Sequence, residues 1–173
     1  MIYMDIFDIL GKKSPNRILK LFVKNPTAEM QLKHIESATK LAKLSVLKWT
    51  KEMARQKLLT ARSVGRTTLY TLNRDNPSVK QLRILHNIDY INSKLGSMDG
   101  QVFLYGSFAR GENVEKSDID LLVIGKNRDM IKKLKALDDR IKVSFYTPLE
   151  WSMAARKDKA FFDNVEKDKI RVR

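Results

Sequence analysis

Two short segments hold the residues whose types and spacing could do chemistry. Gly106-Ser107 closes the apolar run Val102-Phe103-Leu104-Tyr105, and ten residues later Asp118-Ile119-Asp120 opens a second apolar run, Leu121-Leu122-Val123-Ile124. Apolar runs of this length, one closed by a glycine and the other entered through carboxylates, predict a pair of buried strands. Side chains alternate along a strand, so Asp118 and Asp120 project from one face about 6.6 Å apart by backbone rise, with Ile119 turned into the core. Two carboxylates on one face invite a hard cation. Mg²⁺ suits them, because it takes oxygen ligands, keeps several waters and completes its shell with phosphate oxygens. Gly106 lets the backbone turn and approach a ligand, while Ser107 supplies a hydroxyl and an amide N–H to phosphate. Together the two segments would clamp a nucleoside triphosphate from two sides.

Further elements must hold this pair in place. A third strand is predicted at Ile141 to Tyr146, where Ile141, Val143 and Phe145 share a face. A strong helix start follows: Thr147 as N-cap, Pro148 at the first position and Glu150 completing a capping box, with Tyr146 and Trp151 placed as a hydrophobic staple. Phe161 to Val165 predicts a short amphipathic helix contributing to the core.

Gly-Ser-Phe-Ala-Arg-Gly at 106–111 and Ser-Asp-Ile-Asp-Leu-Leu-Val at 117–123 resemble the signature of the polymerase β-like nucleotidyltransferases, their minimal branch in particular. The resemblance covers about residues 98–152. It implies a small mixed sheet with helices against it, Gly106, Ser107 and Arg110 as nucleotide-binding residues, and Asp118 and Asp120 as catalytic ligands of Mg²⁺ or Mn²⁺. The implied reaction is transfer of a nucleotidyl group from a nucleoside triphosphate with release of pyrophosphate. The family usually carries a third carboxylate on the strand predicted at 141–146, facing the metal. Here the corresponding positions hold Lys142 and Ser144. An ammonium at Lys142 would either pair with Asp118 or Asp120 or bind a phosphate. Asp138 and Asp139, just before the strand, are the nearest substitutes in the sequence. The resemblance also implies a helical HEPN-type protein as partner.

The N-terminal half reads differently. Ser14-Pro15 predicts an N-cap and first-position proline, with Ile18, Leu19, Phe22 and Val23 at helical spacing until Asn25-Pro26. A second helix is predicted over Leu32 to Thr39. A third has Val46, Thr50 and Met53 on one side and Lys43, Ser45, Lys48, Lys51 and Arg55 elsewhere around it. Leu58 to Val64 and Thr67 to Leu72, separated by Gly65-Arg66, predict a hairpin. Three helices and a basic hairpin over residues 14–76 resemble the winged helix-turn-helix domains of small prokaryotic, notably archaeal, regulators. That resemblance implies DNA contacts from Ser45, Lys48 and Lys51 on the third helix and from Arg62 and Arg66 on the wing.

Charge agrees with this division. Of a formal +14, residues 1–80 hold 16 Lys/Arg against 6 Asp/Glu and residues 81–173 hold 18 against 14, so the N-terminal half is the polyanion binder if either half is. Charge alone does not separate DNA from RNA or an anionic membrane; the helix and hairpin pattern favours double-stranded DNA. The absence of cysteine excludes disulfides, thiolate zinc sites and thiol nucleophiles, and two histidines exclude a histidine-rich metal site. No window approaches the length of a membrane span, and Asp5 and Asp8 stand where a signal peptide carries positive charge, so a cytoplasmic protein is expected.

The expected fold class is α+β, with a winged helix-turn-helix at 1–76, a connecting helix at 77–97 and a nucleotidyltransferase-fold domain at 98–173. Asn76-Pro77 marks the boundary, Ser78 is the expected cap, and Val79, Leu82, Leu85, Ile88, Ile91 and Leu95 form a stripe that would serve as core or as a homodimer contact. Two functions follow. One is a nucleotidyltransferase guided or regulated through DNA. The other is a DNA-binding regulator that keeps the nucleotide pocket as a sensor.

Overall fold

The computed structural model describes residues 10–95 and 100–173. Asp5 and Asp8, positions 96–97 of the expected connecting helix and positions 98–99 of the expected second domain lie outside the described residues. The chain divides into two compact units, Met1–Val79 and Lys80–Arg173.

In the first unit, helix α1 (Lys13–Lys24) is followed by strand β1 (Met30–Gln31), helices α2 (Leu32–Thr39) and α3 (Lys43–Arg55), and strands β2 (Leu59–Val64) and β3 (Thr67–Leu72). The strands form an antiparallel sheet in the order β1-β3-β2. Ile18, Phe22, Ile35, Val46 and Met53 are buried, which places the apolar positions of all three helices in one core. Helix α1 starts two residues earlier than the sequence predicts: Lys12 is its cap and Ser14 lies inside the first turn. Pro15 is tolerated there, since a first-turn N–H lacks an intrahelical partner anyway. The Asn25 side chain donates to the Leu21 carbonyl at 2.8 Å and ends the helix as expected. Strand β1 is new, because two residues are too short to show an alternation. Strands β2 and β3 pair from Leu59↔Leu72 to Val64↔Thr67, and Gly65, at φ +58°, makes the turn.

In the second unit, α4 (Pro77–Lys94, entering it at Lys80) leads to β4 (Gln101–Tyr105), the one-turn helix α5 (Gly106–Ala109), β5 (Ile119–Ile124), α6 (Asp129–Lys135), β6 (Ile141–Tyr146), α7 (Pro148–Lys157), α8 (Lys159–Asp168) and β7 (Ile170–Arg171). The sheet order is β6-β5-β4-β7. The β5–β6 pair is parallel and the other two are antiparallel, which gives the expected small mixed sheet. One face, with Val102, Leu104, Ile119, Leu121, Val123 and Ile141, packs on Ile91 and Leu95 and on Met130 and Leu134 of α6. The other, with Phe103, Tyr105 and Leu122, packs on Val165 of α8 and on Trp151 and Phe161. The Thr147–Glu150 capping box forms, and Tyr146 meets Trp151 with ring centroids 5.3 Å apart.

Helix α4 departs from its sequence reading in two ways. Its start is capped by the Asn76 side chain, whose Oδ1 accepts from the amides of Ser78 (2.8 Å) and Val79 (3.3 Å), so Ser78 is not the cap. Its buried row is Val79, Arg83, Asn87 and Ile91, one residue in four, whereas Leu85 is 62% exposed. Of the predicted stripe, Val79, Ile91 and Leu95 are buried and Leu82 and Ile88 half-buried, so Arg83 and Asn87 join it and Leu85 alone leaves it. Among the described residues no helix is long and apolar enough to cross a membrane.

Candidate active site

Strand β4 delivers the chain to Gly106, where φ is +70°. A Cβ at that position would stand 2.8 Å from Oδ2 of Asp120, so the turn and the carboxylate are in close approach. Register explains it: Tyr105 pairs with Asp120 across β4 and β5. Asp118 is exposed just before β5, and Asp120 is half-buried as its second residue. Burial pushes the Asp120 carboxyl above the usual carboxylate range, the charge of Asp118 adds to the rise, and Asp168 raises it further, while Arg110 and Lys142 oppose it. Ser107 is half-buried in the first turn of α5, and Arg110 is that helix's C-cap.

The loop after this turn is held from behind by α4. Asn87, 4% exposed, donates to the Phe108 carbonyl and to Oδ1 of Asn113, both at 2.8 Å. Arg83, 1% exposed, donates to the Asn113 carbonyl and side chain. Gly111 is required beside them, since a Cβ there would come 2.5 Å from the Lys80 carbonyl oxygen. The Ser107 carbonyl accepts from the Glu112 (2.9 Å) and Asn113 (3.2 Å) amides. Ordering a surface loop costs about 1–2 kcal/mol of backbone entropy per residue, and these bonds supply the offset before any ligand arrives.

Lys142 lies directly across from Asp120 in the parallel β5–β6 ladder, and Ser144 across from Leu122. These are the two positions where a third carboxylate was expected by resemblance. Lys142 is exposed and forms no ion pair with Asp118 or Asp120 among the described residues, so its influence on Asp120 acts at longer range. The Ser144 hydroxyl is 3.2 Å from the Tyr105 phenol. Asp138 is committed elsewhere. It accepts from the Arg140 guanidinium at 2.8 and 3.1 Å and from Tyr90, and Arg140 chiefly holds its carboxyl well below the usual range.

That commitment makes Asp138 structural. A carboxyl depressed in the folded state contributes stability above the usual carboxylate range that is lost as pH falls through the depressed value. Arg140→Ala is therefore expected to lower stability at neutral pH by about 2–3 kcal/mol, by removing charge-assisted hydrogen bonds from a largely buried acceptor, and to flatten the acid limb of the stability curve. Thermal melts at neutral and acidic pH check this. An unchanged acid limb would mean Asp138 is not the linked group.

The residues present suit a divalent cation shared with a phosphate, not a closed protein cage. Among the described residues no group of three or more His, Cys, Asp or Glu side chains is placed to hold a metal. Asp118 and Asp120 supply two oxygen donors, and their mutual repulsion is what a cation would relieve.

The residues named for DNA lie on the first unit. Lys48 and Lys51 are exposed on α3, Ser45 is half-buried there, and Arg62 and Arg66 are exposed on the hairpin. Arg62 is paired with Glu29 at 2.8 Å, and Lys48 lies over the Trp49 ring at 5.2 Å. Sequence reasoning missed Asp168, Arg83, Asn87 and Asn113. Asp168, on α8, reaches the Gly106 turn across 62 residues, and no local pattern signals such a contact.

No curated protein matches the sequence. A crystal structure of an inferred nucleotidyltransferase from Sulfolobus solfataricus is similar over 53% of this chain and 81% of that one, with 24% identity and a TM-score of 0.27. Residues 87–171, which span the site from Asn87 to Asp168, match the family model described as the nucleotidyltransferase domain.

Proposed function

We propose that the second unit binds a nucleoside triphosphate with Mg²⁺ or Mn²⁺ and transfers its nucleotidyl group to an acceptor, and that the first unit binds double-stranded DNA. The observation that carries the first part is the 2.8 Å approach of Asp120 to the Gly106 position, with Asp118 beside it. A phosphate-binding turn and two carboxylates are thereby within reach of one ligand. In this reading Gly106 and Ser107 offer amide and hydroxyl hydrogen bonds to phosphate oxygens, Arg110 offers its guanidinium, and Asp118 and Asp120 hold the cation. The cation would neutralise charge developing on the transferred phosphoryl group. Incubation with labelled nucleoside triphosphates and Mg²⁺ or Mn²⁺, read as pyrophosphate release, tests it.

A second reading, a DNA-binding regulator that senses nucleotide without turnover, is favoured by Lys142 and Ser144 on the strand beside Asp120 and by the commitment of Asp138 to Arg140. General-base assistance typically contributes about 10²–10⁴-fold, so a site without that carboxylate is expected to turn over weakly while still binding.

For the first unit, the order helix, short strand, two helices and hairpin supports a winged helix, and the basic exposed face of α3 supports DNA as its ligand. Binding by the full chain is expected to fall steeply with salt. Lys48→Ala and Arg66→Ala should each weaken it, similarly across sequences if the residue meets phosphate, with a salt slope lower by about 1. Fluorescence anisotropy over a salt series measures this, and affinity indifferent to salt and to both substitutions would remove DNA as the ligand. The exposed Leu85 supports a further reading of α4 as a contact between two copies, and a HEPN-type protein remains the partner suggested by resemblance.

A further inference from the structure

Two of the hydrogen-bond donors offered to an anion at the Gly106 turn already hold one. Asp168, the last residue of α8, accepts from the Gly106 amide at 3.3 Å through one carboxylate oxygen and from the Arg110 guanidinium through the other. Its side chain is only 11% exposed. The Nε of Arg110 is occupied by Glu112 at 2.8 Å. A carboxylate bridging a glycine-turn amide and an arginine reproduces the contacts of two phosphate oxygens.

The placement of Asp168 brings like charges together. It stands at the C-terminal end of its own helix, where the peptide dipoles already make the potential negative. It also adds negative charge near Asp120, which the charge of Asp118 already repels. The Gly106 amide and the Arg110 guanidinium compensate for this, so a ligand that displaces Asp168 from them must itself offer anionic oxygens. The segment that would move ends two residues further on, where β7 pairs with β4 through Leu104↔Ile170 and Phe103↔Arg171 and the backbone of Val172 and Arg173 bonds to Val102.

We propose that Asp168 is an internal stand-in for a nucleotide phosphate, a latch that occupies the Gly106 amide and Arg110 in the nucleotide-free protein and is displaced when a metal-bound polyphosphate enters. The inference rests on the nucleotide-binding reading of the site. It makes the end of α8 an autoinhibitory contact and predicts that this helix moves on binding. Helix α8 carries Phe161 and Phe162, whose rings lie 6.4 and 5.0 Å from that of Trp151, so movement changes the surroundings of an indole.

The test is titration calorimetry of the full chain with Mg-ATP and with magnesium tripolyphosphate, comparing the natural sequence with Asp168→Asn and Asp168→Ala. Removing the competitor is expected to raise affinity for both probes by about tenfold and to lower the Tm of the unliganded protein. Affinity that is unchanged or weaker in the variants overturns the latch, a weaker value meaning that Asp168 positions Arg110 for phosphate. If the natural protein binds and the variants gain nothing, only the latch fails. If no form binds either probe, the nucleotide reading fails with it. A second measurement needs no change at Asp168: in a Trp49→Phe background, magnesium tripolyphosphate should shift the Trp151 emission. An unshifted spectrum under saturating binding overturns the proposal.

Discussion

Asp118→Asn combined with Asp120→Asn is expected to abolish the divalent-cation dependence of nucleotide binding while raising the Tm of the unliganded protein. The two effects share one cause. The Asp120 carboxyl is raised above its usual range by burial first and by the charge of Asp118 second, so its ionised form is the form the fold disfavours. A group raised in this way contributes stability at pH below the usual carboxylate range that is lost as pH climbs through the raised value. At neutral pH the ionised pair therefore opposes folding, and neutral amides of the same shape relieve that opposition. A cation reverses the balance by selecting the ionised form. Mg²⁺ should stabilise the natural protein only in the presence of nucleotide or polyphosphate, increasingly as pH rises, and should not stabilise the double variant. Loss of groups that merely support a metal ligand typically costs about 10–100-fold in affinity, and loss of both ligands should exceed that. Calorimetry with chelator and with Mg²⁺, alongside melting curves, measures both halves. Equal nucleotide affinity in all conditions and in the double variant would mean that the carboxylates do not hold a cation.

The contrast between what was legible in the sequence and what was not follows the range of the interactions. The Gly106 turn and the Asp118/Asp120 pair were legible because each is local: a glycine closes a strand, and carboxylates two residues apart share a face. Their meeting follows from the antiparallel pairing of β4 with β5, which brings Tyr105 opposite Asp120. The Thr147 capping box was legible for the same reason, since all its parts lie within four residues. The row buried by α4 was legible only in part: Val79, Ile91 and Leu95 are buried as predicted. An apolar stripe is the strongest helical signal, yet Arg83 and Asn87 are buried in place of Leu85 because their hydrogen bonds hold the loop around Asn113, which lies 30 and 26 residues away. Asp168 escaped notice by a wider margin: its partners Gly106 and Arg110 are 62 and 58 residues distant, and nothing near position 168 distinguishes it from a solvated helix end. The two-residue strands β1 and β7 are shorter than any repeating pattern.

Lys142→Asp is the substitution expected to change turnover most. Lys142 stands opposite Asp120 in the parallel β5–β6 ladder, so a carboxylate at 142 would share the face that carries Asp120 and would remove a competing ammonium. Transfer of a nucleotidyl group requires the acceptor hydroxyl to lose its proton near the metal, and a positioned base typically supplies about 10²–10⁴-fold. Neither Asp138, bound to Arg140 and Tyr90, nor Asp168, bound to Arg110 and Gly106, is free to take that role in the nucleotide-free protein. Pyrophosphate release, weak in the natural sequence, should therefore rise by about 10²-fold in Lys142→Asp. Without metal the same variant should be less stable than the natural protein, because a third carboxylate joins two that already repel, and Mg²⁺ with nucleotide should restore more stability than it gives the natural chain. Lys142→Ala separates the two contributions: it removes the ammonium without adding a base, and should strengthen metal-dependent nucleotide binding with little gain in turnover. Vigorous transfer by the natural protein, unchanged in Lys142→Ala and not exceeded in Lys142→Asp, would show that the site needs no carboxylate on β6. The base would then have to come from solvent, from Asp139, which is exposed just before β6, or from Asp168 after its release from Arg110, and an Asp168→Asn variant that binds tighter but no longer turns over would identify the last.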